Sequence, residues 1–367
     1  MSRRLIICID GTNNYPNSGY TNIQRLYRML RRDEGQLTYY QPGVGTIEPG
    51  TVTSRIGRKL MMAVDGASAW LLRQHVTSAY RFLMNHYQEG DEVSCFGFSR
   101  GAFAVRVLAG MISKVGILHP GFEPMIPFAW DTYRTPNNRD AARRFRAHYG
   151  RYVSRIGLLG LFDSVSAVGL PWVPRYFPHT AHNPRVAVVR HALALDERRV
   201  MFVQNRWRED EAAQTHSDVK QVWFAGVHSD VGGGYAEPEA GLSLIPLAWM
   251  MREARQAGLQ FRPRVSRQLL GVELDAEGDF VRLLSERHAL APAHDELDAH
   301  WYWKAVEQLP IPRRRPLDVD QWETNWIRNQ SQARRPGPGL QVHSSVQRRC
   351  DSGYQPRIEL QQPLYVD

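Results

Sequence analysis

Gly97-Phe98-Ser99-Arg100-Gly101 stands directly behind the strand-like run Asp91-Glu92-Val93-Ser94-Cys95-Phe96 and ahead of the helix-like Ala102-Phe103-Ala104-Val105-Arg106-Val107-Leu108. A G-x-S-x-G in that setting reads as a nucleophile elbow. The serine occupies a sharp strand-to-helix turn that lifts its hydroxyl off the end of a sheet. Glycines two residues to either side are needed because a Cβ there would strike neighbouring backbone. The alternative is an ordinary glycine-flanked turn, which the flanking strand and helix disfavour.

Three further apolar runs end in residues capable of chemistry: Leu5 to Ile9 before Asp10, Ile156 to Phe162 before Asp163, and Val222 to Val227 before His228. Strands that terminate in such residues predict a mainly parallel sheet with a site along its carboxyl edge. Leu72, Val76, Tyr80, Leu83 and Tyr87 recur at spacings of three and four, which marks an amphipathic crossover helix closed by Gly90-Asp91. A second helix spans about 242 to 257, with Gly258 as its cap. Alternating strand and helix is the α/β signature. The predicted organisation is a core over 1–270, with lid-like insertions near 120–150 and 169–184, and a less regular region over 271–367 packed on it. Within the latter, Pro310-Ile311-Pro312-Arg313-Arg314-Arg315-Pro316 and Arg334-Arg335-Pro336-Gly337-Pro338-Gly339 read as extended linkers around Trp322 and Trp326.

A serine hydroxyl is a poor nucleophile near neutrality. It needs a histidine to take its proton and a carboxylate to hold that histidine in the right tautomer. Asp163 and His228 both follow apolar runs, and with Ser99 they give the chain order Ser, Asp, His, which is that of α/β-hydrolases. The competing histidine is His343, in Val342-His343-Ser344-Ser345. The competing acid is Asp230, which on an extended segment would point away from His228. An oxyanion needs two backbone N–H donors. Arg100 is placed to give one, and the loop Asp10-Gly11-Thr12-Asn13-Asn14 the other through Gly11 or Thr12, unless that loop is only an Asx turn. Gly43-Val44-Gly45-Thr46 flanks the same edge. The mechanism requires no cofactor and no metal. Two rivals remain: a metal-dependent phosphohydrolase using Asp10, Asp163, His228 and Asp230, and a non-catalytic binding module on a relic fold.

The 367 residues and 43% hydrophobic content suffice for a large core. A formal charge of +9 predicts attraction to polyanions such as an anionic lipid surface. No zinc-finger, homeodomain or RNP pattern supports a nucleic-acid partner. The three cysteines give an odd count; Cys8 and Cys95 fall in apolar runs and read as core residues of a reducing compartment. Leu5 to Ile9 is too short for a signal-peptide core, and no run reaches the roughly 18 apolar residues of a membrane span, so cytoplasmic synthesis is expected.

Five ordered motifs resemble the DUF2235 family of α/β-hydrolases, whose better-known members are the Tle1-type phospholipase effectors of bacterial type VI secretion. They are Ile9-Asp10-Gly11-Thr12-Asn13-Asn14, Gly43 to Thr46, Phe96 to Phe103, Gly160-Leu161-Phe162-Asp163-Ser164-Val165, and Trp223 to Tyr235. The likeness covers about residues 4 to 260, with a weaker match over Val342 to Leu360. It implies a lipase-like site at Ser99, Asp163 and His228 that acts on phospholipid ester bonds, a peripheral membrane surface as substrate, and an immunity or delivery protein as partner. Larger members carry membrane-anchoring or spike-binding regions for which this chain leaves little room.

Overall fold

The computed structural model describes residues 2–11, 19–43, 55–165, 177–208, 217–270, 286–318, 321–336 and 339–367. Its strands are β1 (Arg4–Ile9), β2 (Gln36–Gln41), β3 (Glu92–Phe98), β4 (Ile117–Leu118), β5 (Gly150–Arg151), β6 (Ile156–Phe162), β7 (Val186–Ala194), β8 (Asp218–Phe224), β9 (Ile311–Asp318), β10 (Gln321–Ile327), β11 (Gln341–His343) and β12 (Leu364–Val366). Eight of them form one sheet in the order β12-β11-β8-β7-β6-β3-β1-β2. Every pairing in that sheet is parallel.

The helices are α1 (Asn22–Met29), α2 (Arg55–His86), α3 (Arg100–Val115), α4 (Ile126–Arg134), α5 (Arg139–Tyr149), α6 (His228–Gly232), α7 (Leu244–Gln256), α8 (Pro263–Leu270), α9 (Glu286–Ala289), α10 (Glu296–Ala299), α11 (Trp301–Glu307) and α12 (Ser344–Asp351). On one face Leu5, Ile7 and Ile9 of β1 pack with Leu72 and Val76 of α2 and with Val105 and Leu108 of α3. On the other, Ile6 and Cys8 meet Ile23 and Leu26 of α1 and Leu247 and Met251 of α7. Helices cover both faces, so the central strands read as continuous apolar runs without polar alternation. This α/β architecture is that of an α/β-hydrolase-like fold.

The strand order reverses between β1 and β3, since β2 lies outside β1 while β3 starts the run in the opposite direction. A crevice at the carboxyl ends of strands forms at such a switch point. Ile9 pairs with Gly97, Phe98 with Phe162, and Phe162 with Ala192. That register brings Asp10, Ser99 and Asp163 to the same edge.

Several expectations are corrected. The four apolar runs account for only part of the sheet. In β7, Arg190 is buried in ion pairs with Glu253 and Asp218, and His191 lies buried one residue on, so charge and imidazole interrupt the pattern a buried strand should show. The run before His228 stops being strand at Phe224, and His228 opens the short helix α6. The supposed linker over 311–316 is strand β9, paired antiparallel with β10. The region near 120–150 is the helical pair α4 and α5, whose Trp130, Tyr133 and Ala142 join the α2–α3 side of the core. Residues 169–176, the first half of the second expected insertion, lie outside the described residues.

Candidate active site

Ser99 caps α3 with φ 57° and ψ −124°, in the left-handed half of backbone space that a non-glycine residue rarely occupies. The helix can start there only because Gly97 and Gly101, two residues to either side, have no side chain. A Cβ on Gly97 would lie 2.5 Å from the Gly101 carbonyl oxygen, and one on Gly101 would lie 2.3 Å from that of Ile9 and 2.5 Å from that of Asp10. The two glycines therefore press the first turn of α3 onto the ends of β3 and β1. Ser99 is 7% exposed.

Asp163 follows β6 in a turn with φ 39° and is fully buried. Its Oδ2 lies 2.5 Å from His228 Nδ1. Its Oδ1 accepts from the Ala194 N–H at 3.1 Å. A third group completes the shell: Arg334 donates from Nη1 to Oδ1 at 2.6 Å and from Nη2 to Oδ2 at 2.9 Å. The turn is braced from behind, where the Ser164 N–H donates to His191 Nε2 at 3.1 Å and Arg106 of α3 reaches Ser164 Oγ at 3.3 Å.

His228 is the first residue of α6, and its backbone N–H points at Glu197 Oε2, 3.3 Å away. Its ring lies between those of Phe98 and Phe202, each with a centroid separation of 4.7 Å. Phe98 immediately precedes Ser99, so this contact and the Asp163 bond bring His228 beside the elbow. A Cβ on Gly232 would enter the Phe98 ring at 1.9 Å, so Gly232 forms the tight end of α6 against the residue before Ser99. Glu197 is held by Arg199, which donates from its backbone N–H, Nε and Nη2.

Burial alone would raise the Asp163 carboxyl, but the Arg334 guanidinium and His228 outweigh it and hold the group well below the usual carboxylate range. Burial depresses His228, against the upward pull of Asp163 and Glu197. The result is an ionised carboxylate beside an imidazole that is neutral at neutral pH, the protonation state a general base requires.

The other sequence-predicted residues have separate partners. Asp230 turns back to cap its own helix, accepting from the Val227 N–H at 3.0 Å, and pairs with His294 Nδ1 at 2.7 Å. It sits on a helix, so the extended-segment argument against it does not apply. His343 caps α12 by accepting from the Ser345 N–H at 3.2 Å, and its ring stacks on Phe224 at 4.9 Å. Burial lowers its pKa to about 4. Asp10 accepts from Thr21 Oγ1 at 2.7 Å, from Tyr40 OH at 2.9 Å and from the Gly11 N–H at 2.7 Å. The proposed oxyanion donor Gly11 is thus directed at Asp10; Thr12 and residues 44–46 lie outside the described residues. Asp10, Asp163 and Asp230 are not gathered into one shell, and among the described residues no group of three or more His, Cys, Asp or Glu side chains is placed to hold a metal ion.

Sequence reasoning missed Arg334, Glu197, Arg199 and Phe202. Arg334 lies 171 residues from Asp163 in a stretch that reads as a proline and glycine linker, and it is buried. Glu197-Arg198-Arg199 looks like a solvated charge run. Its signal was the position directly after β7, at the functional edge. Cys8 and Cys95 are buried free thiols, pushed up by burial, as their apolar contexts implied.

Residues 3–253 match the family described as T6SS, phospholipase effector Tle1-like, catalytic domain. The uncharacterized protein YEL023C of Saccharomyces cerevisiae is 40% identical over 221 residues, or 55% of this chain and 32% of that protein, so the match spans about a third of the relative's length. The crystal structure of an uncharacterized protein from Pseudomonas aeruginosa is 21% identical, with 73% of this chain and 48% of that chain covered and a TM-score of 0.41. Among the described residues, no helix is long and apolar enough to cross a membrane.

Proposed function

We propose that this chain, which belongs to the Tle1-like phospholipase effector family of type VI secretion, is a serine esterase of phospholipase A type that cleaves phospholipid acyl chains through an acyl-Ser99 intermediate. The observation that carries the reading is the 2.5 Å contact between Asp163 Oδ2 and His228 Nδ1, on a histidine packed against the residue before Ser99.

In this mechanism Ser99 Oγ attacks the acyl carbonyl carbon while His228 Nε2 takes its proton. The tetrahedral intermediate collapses, the C–O bond to glycerol breaks, and His228 returns the proton to the departing alcohol. Water then attacks the acyl-serine with His228 again as base, releasing the fatty acid and restoring Ser99. Asp163 holds the Nδ1–H tautomer and stabilises the imidazolium. The Arg100 N–H, at the positive end of the α3 dipole, is the first proposed oxyanion donor; the Gly11 N–H is engaged by Asp10, so of the two sequence candidates for the second donor Thr12 is the one proposed. The +9 charge favours an anionic lipid surface as the place of action. The family further suggests delivery to a target cell, with an immunity protein as partner.

The test pairs a fluorophosphonate probe with lipid analysis. Wild type should carry the probe on Ser99 and release fatty acid and lysophospholipid from phospholipid vesicles, and Ser99→Ala should do neither. An unlabelled Ser99, or phosphate or head-group products without free fatty acid, would overturn the reading.

A further inference from the structure

Arg334 is 4% exposed at its side chain, and both terminal nitrogens of its fork contact Asp163. The same guanidinium donates to the Ala194 carbonyl at 3.1 Å, where β7 ends, and to the Phe202 carbonyl at 2.5 Å, beneath the ring that touches His228. The segment carrying it is anchored locally. Glu307 of α11, fully buried, accepts from Asn329 Nδ2 at 2.7 Å and the Ser331 N–H at 3.0 Å with one oxygen, and from the Val200 N–H at 2.6 Å with the other. None of 307, 329, 331 or 334 falls within residues 3–253, the part of the chain that matches the family's catalytic domain.

A triad acid must present one oxygen to the imidazole and stay ionised in a dry site. A guanidinium is permanently charged, and its planar fork matches a carboxylate edge, so it fixes both the ionisation and the plane of Asp163 without help from the histidine. Oδ2 is shared: it faces His228 Nδ1 at 2.5 Å and Arg334 Nη2 at 2.9 Å. The guanidinium thus competes with the imidazole for the same negative charge and opposes protonation of the base.

We infer that Arg334 is a positioning residue for the Asp163–His228 pair, delivered from beyond the matched catalytic domain, so that the site of this chain is complete only when the 329–334 segment is docked. The inference rests on the proposed serine-esterase reading. It assigns to the C-terminal region a part in catalysis acting through Asp163, without contact with substrate. The charged and titratable groups facing the pair are Asp163 and His228 themselves, Glu197 and Arg199 beside His228, and Arg334 and His191 beside Asp163.

The experiment follows the rate at which a fluorophosphonate labels Ser99 in the full chain as pH is raised, for wild type, Arg334→Gln and Arg334→Lys, with near-UV circular dichroism as the folding check. Wild type should label at Ser99 with an acid limb set by His228. In Arg334→Gln, Asp163 keeps its full charge for the imidazole, so the limb should move up by about one pH unit, and the plateau rate should fall tenfold or more as the carboxylate loses its fixed plane. A folded Arg334→Gln with the wild-type limb and plateau would reduce Arg334 to a backbone tie and overturn the inference. If that variant does not fold, Arg334→Lys decides: its single ammonium keeps the charge but cannot span both oxygens. A wild-type limb with a lowered plateau supports positioning, whereas a wild-type plateau refutes it. Failure of both variants to fold marks a purely structural pin and also overturns it. Wild type that does not label at Ser99 removes the esterase reading itself, an outcome separate from Ser99 labelling that ignores Arg334.

Discussion

The backbone N–H of Ser99 donates to the carbonyl of Phe162 at 3.0 Å, so the residue that opens α3 is hydrogen-bonded to the one directly before Asp163. The elbow and the carboxylate turn are therefore one local structure, set by the pairing of β3 with β6. The orientation of Ser99 does not depend on its own side chain.

Ser99→Ala should leave the fold intact and remove ester hydrolysis. The serine side chain contributes no cap hydrogen bond to α3, and its backbone is held by Phe162 and by the glycine contacts. The rate should fall by about 10⁴-fold or more, with an unchanged near-UV spectrum. Substantial activity in a purified alanine variant on a short-chain ester would move the nucleophile elsewhere.

Asp163→Asn should cost both turnover and stability. The amide supports the wrong imidazole tautomer, for a loss of about 10⁴-fold in kcat. It also leaves the buried Arg334 charge uncompensated, for about 3–5 kcal/mol. The double variant Asp163→Asn/Arg334→Gln should recover part of the stability and none of the activity. Denaturant midpoints of the four chains in this cycle test it, and additive losses would mean the two residues are energetically independent.

His228→Ala should be inactive, whereas His343→Ala should keep most activity and lose about 1 kcal/mol through its helix cap and its stacking on Phe224. Because burial holds His228 below its ordinary 6.5, the rate of wild type should rise with pH through a limb lying below that value. An inactive His343→Ala beside an active His228→Ala would exchange their roles.

Asp10 titrates the other way. Burial raises its carboxyl from an ordinary 3.8 to about 6, even against hydrogen bonds from Thr21, Gly11 and Tyr40. A group whose folded-state pKa is raised contributes stability that is fully present below the unfolded value and is lost as pH rises through the folded one. Relative to Asp10→Asn, wild type should therefore lose on the order of 1–3 kcal/mol between about pH 4 and pH 6. Paired urea titrations across that window give the difference directly, and a flat difference would show that Asp10 keeps an ordinary pKa.

Gly101→Ala should fail to fold or be destabilised by more than about 3 kcal/mol, since its Cβ would meet the backbone oxygens of Ile9 and Asp10 at 2.3 and 2.5 Å and neither strand end can retreat. A thermal melt like that of wild type would show that α3 can lift off β1 at little cost.

Much of this molecule is legible along the chain. The apolar runs before Asp10, Ser99 and Asp163 are strands, Leu72, Val76, Tyr80, Leu83 and Tyr87 are buried along one face, and Gly258 turns with φ 88° after α7. These follow from local rules: side-chain period, steric need for glycine and turn chemistry act over a few residues, so a few residues encode them. β7 escaped because Arg190 and His191 break its apolar run, and their burial is compensated by Glu253, Asp218 and Gln221 from other elements.

What the sequence determined by itself was the elbow at Ser99 and the strand end that brings Asp163 to its edge, whereas His228 reaches that edge from the first turn of α6, beyond the end of β8 at Phe224. What only tertiary structure decided was the choice of partners: His228 on Asp163, Asp230 on His294, and Arg334 on Asp163 across 171 residues. An ion pair has no period and no preferred sequence separation. Its geometry exists only once the sheet has ordered the loops, and its strength comes from a burial that no local window of sequence contains.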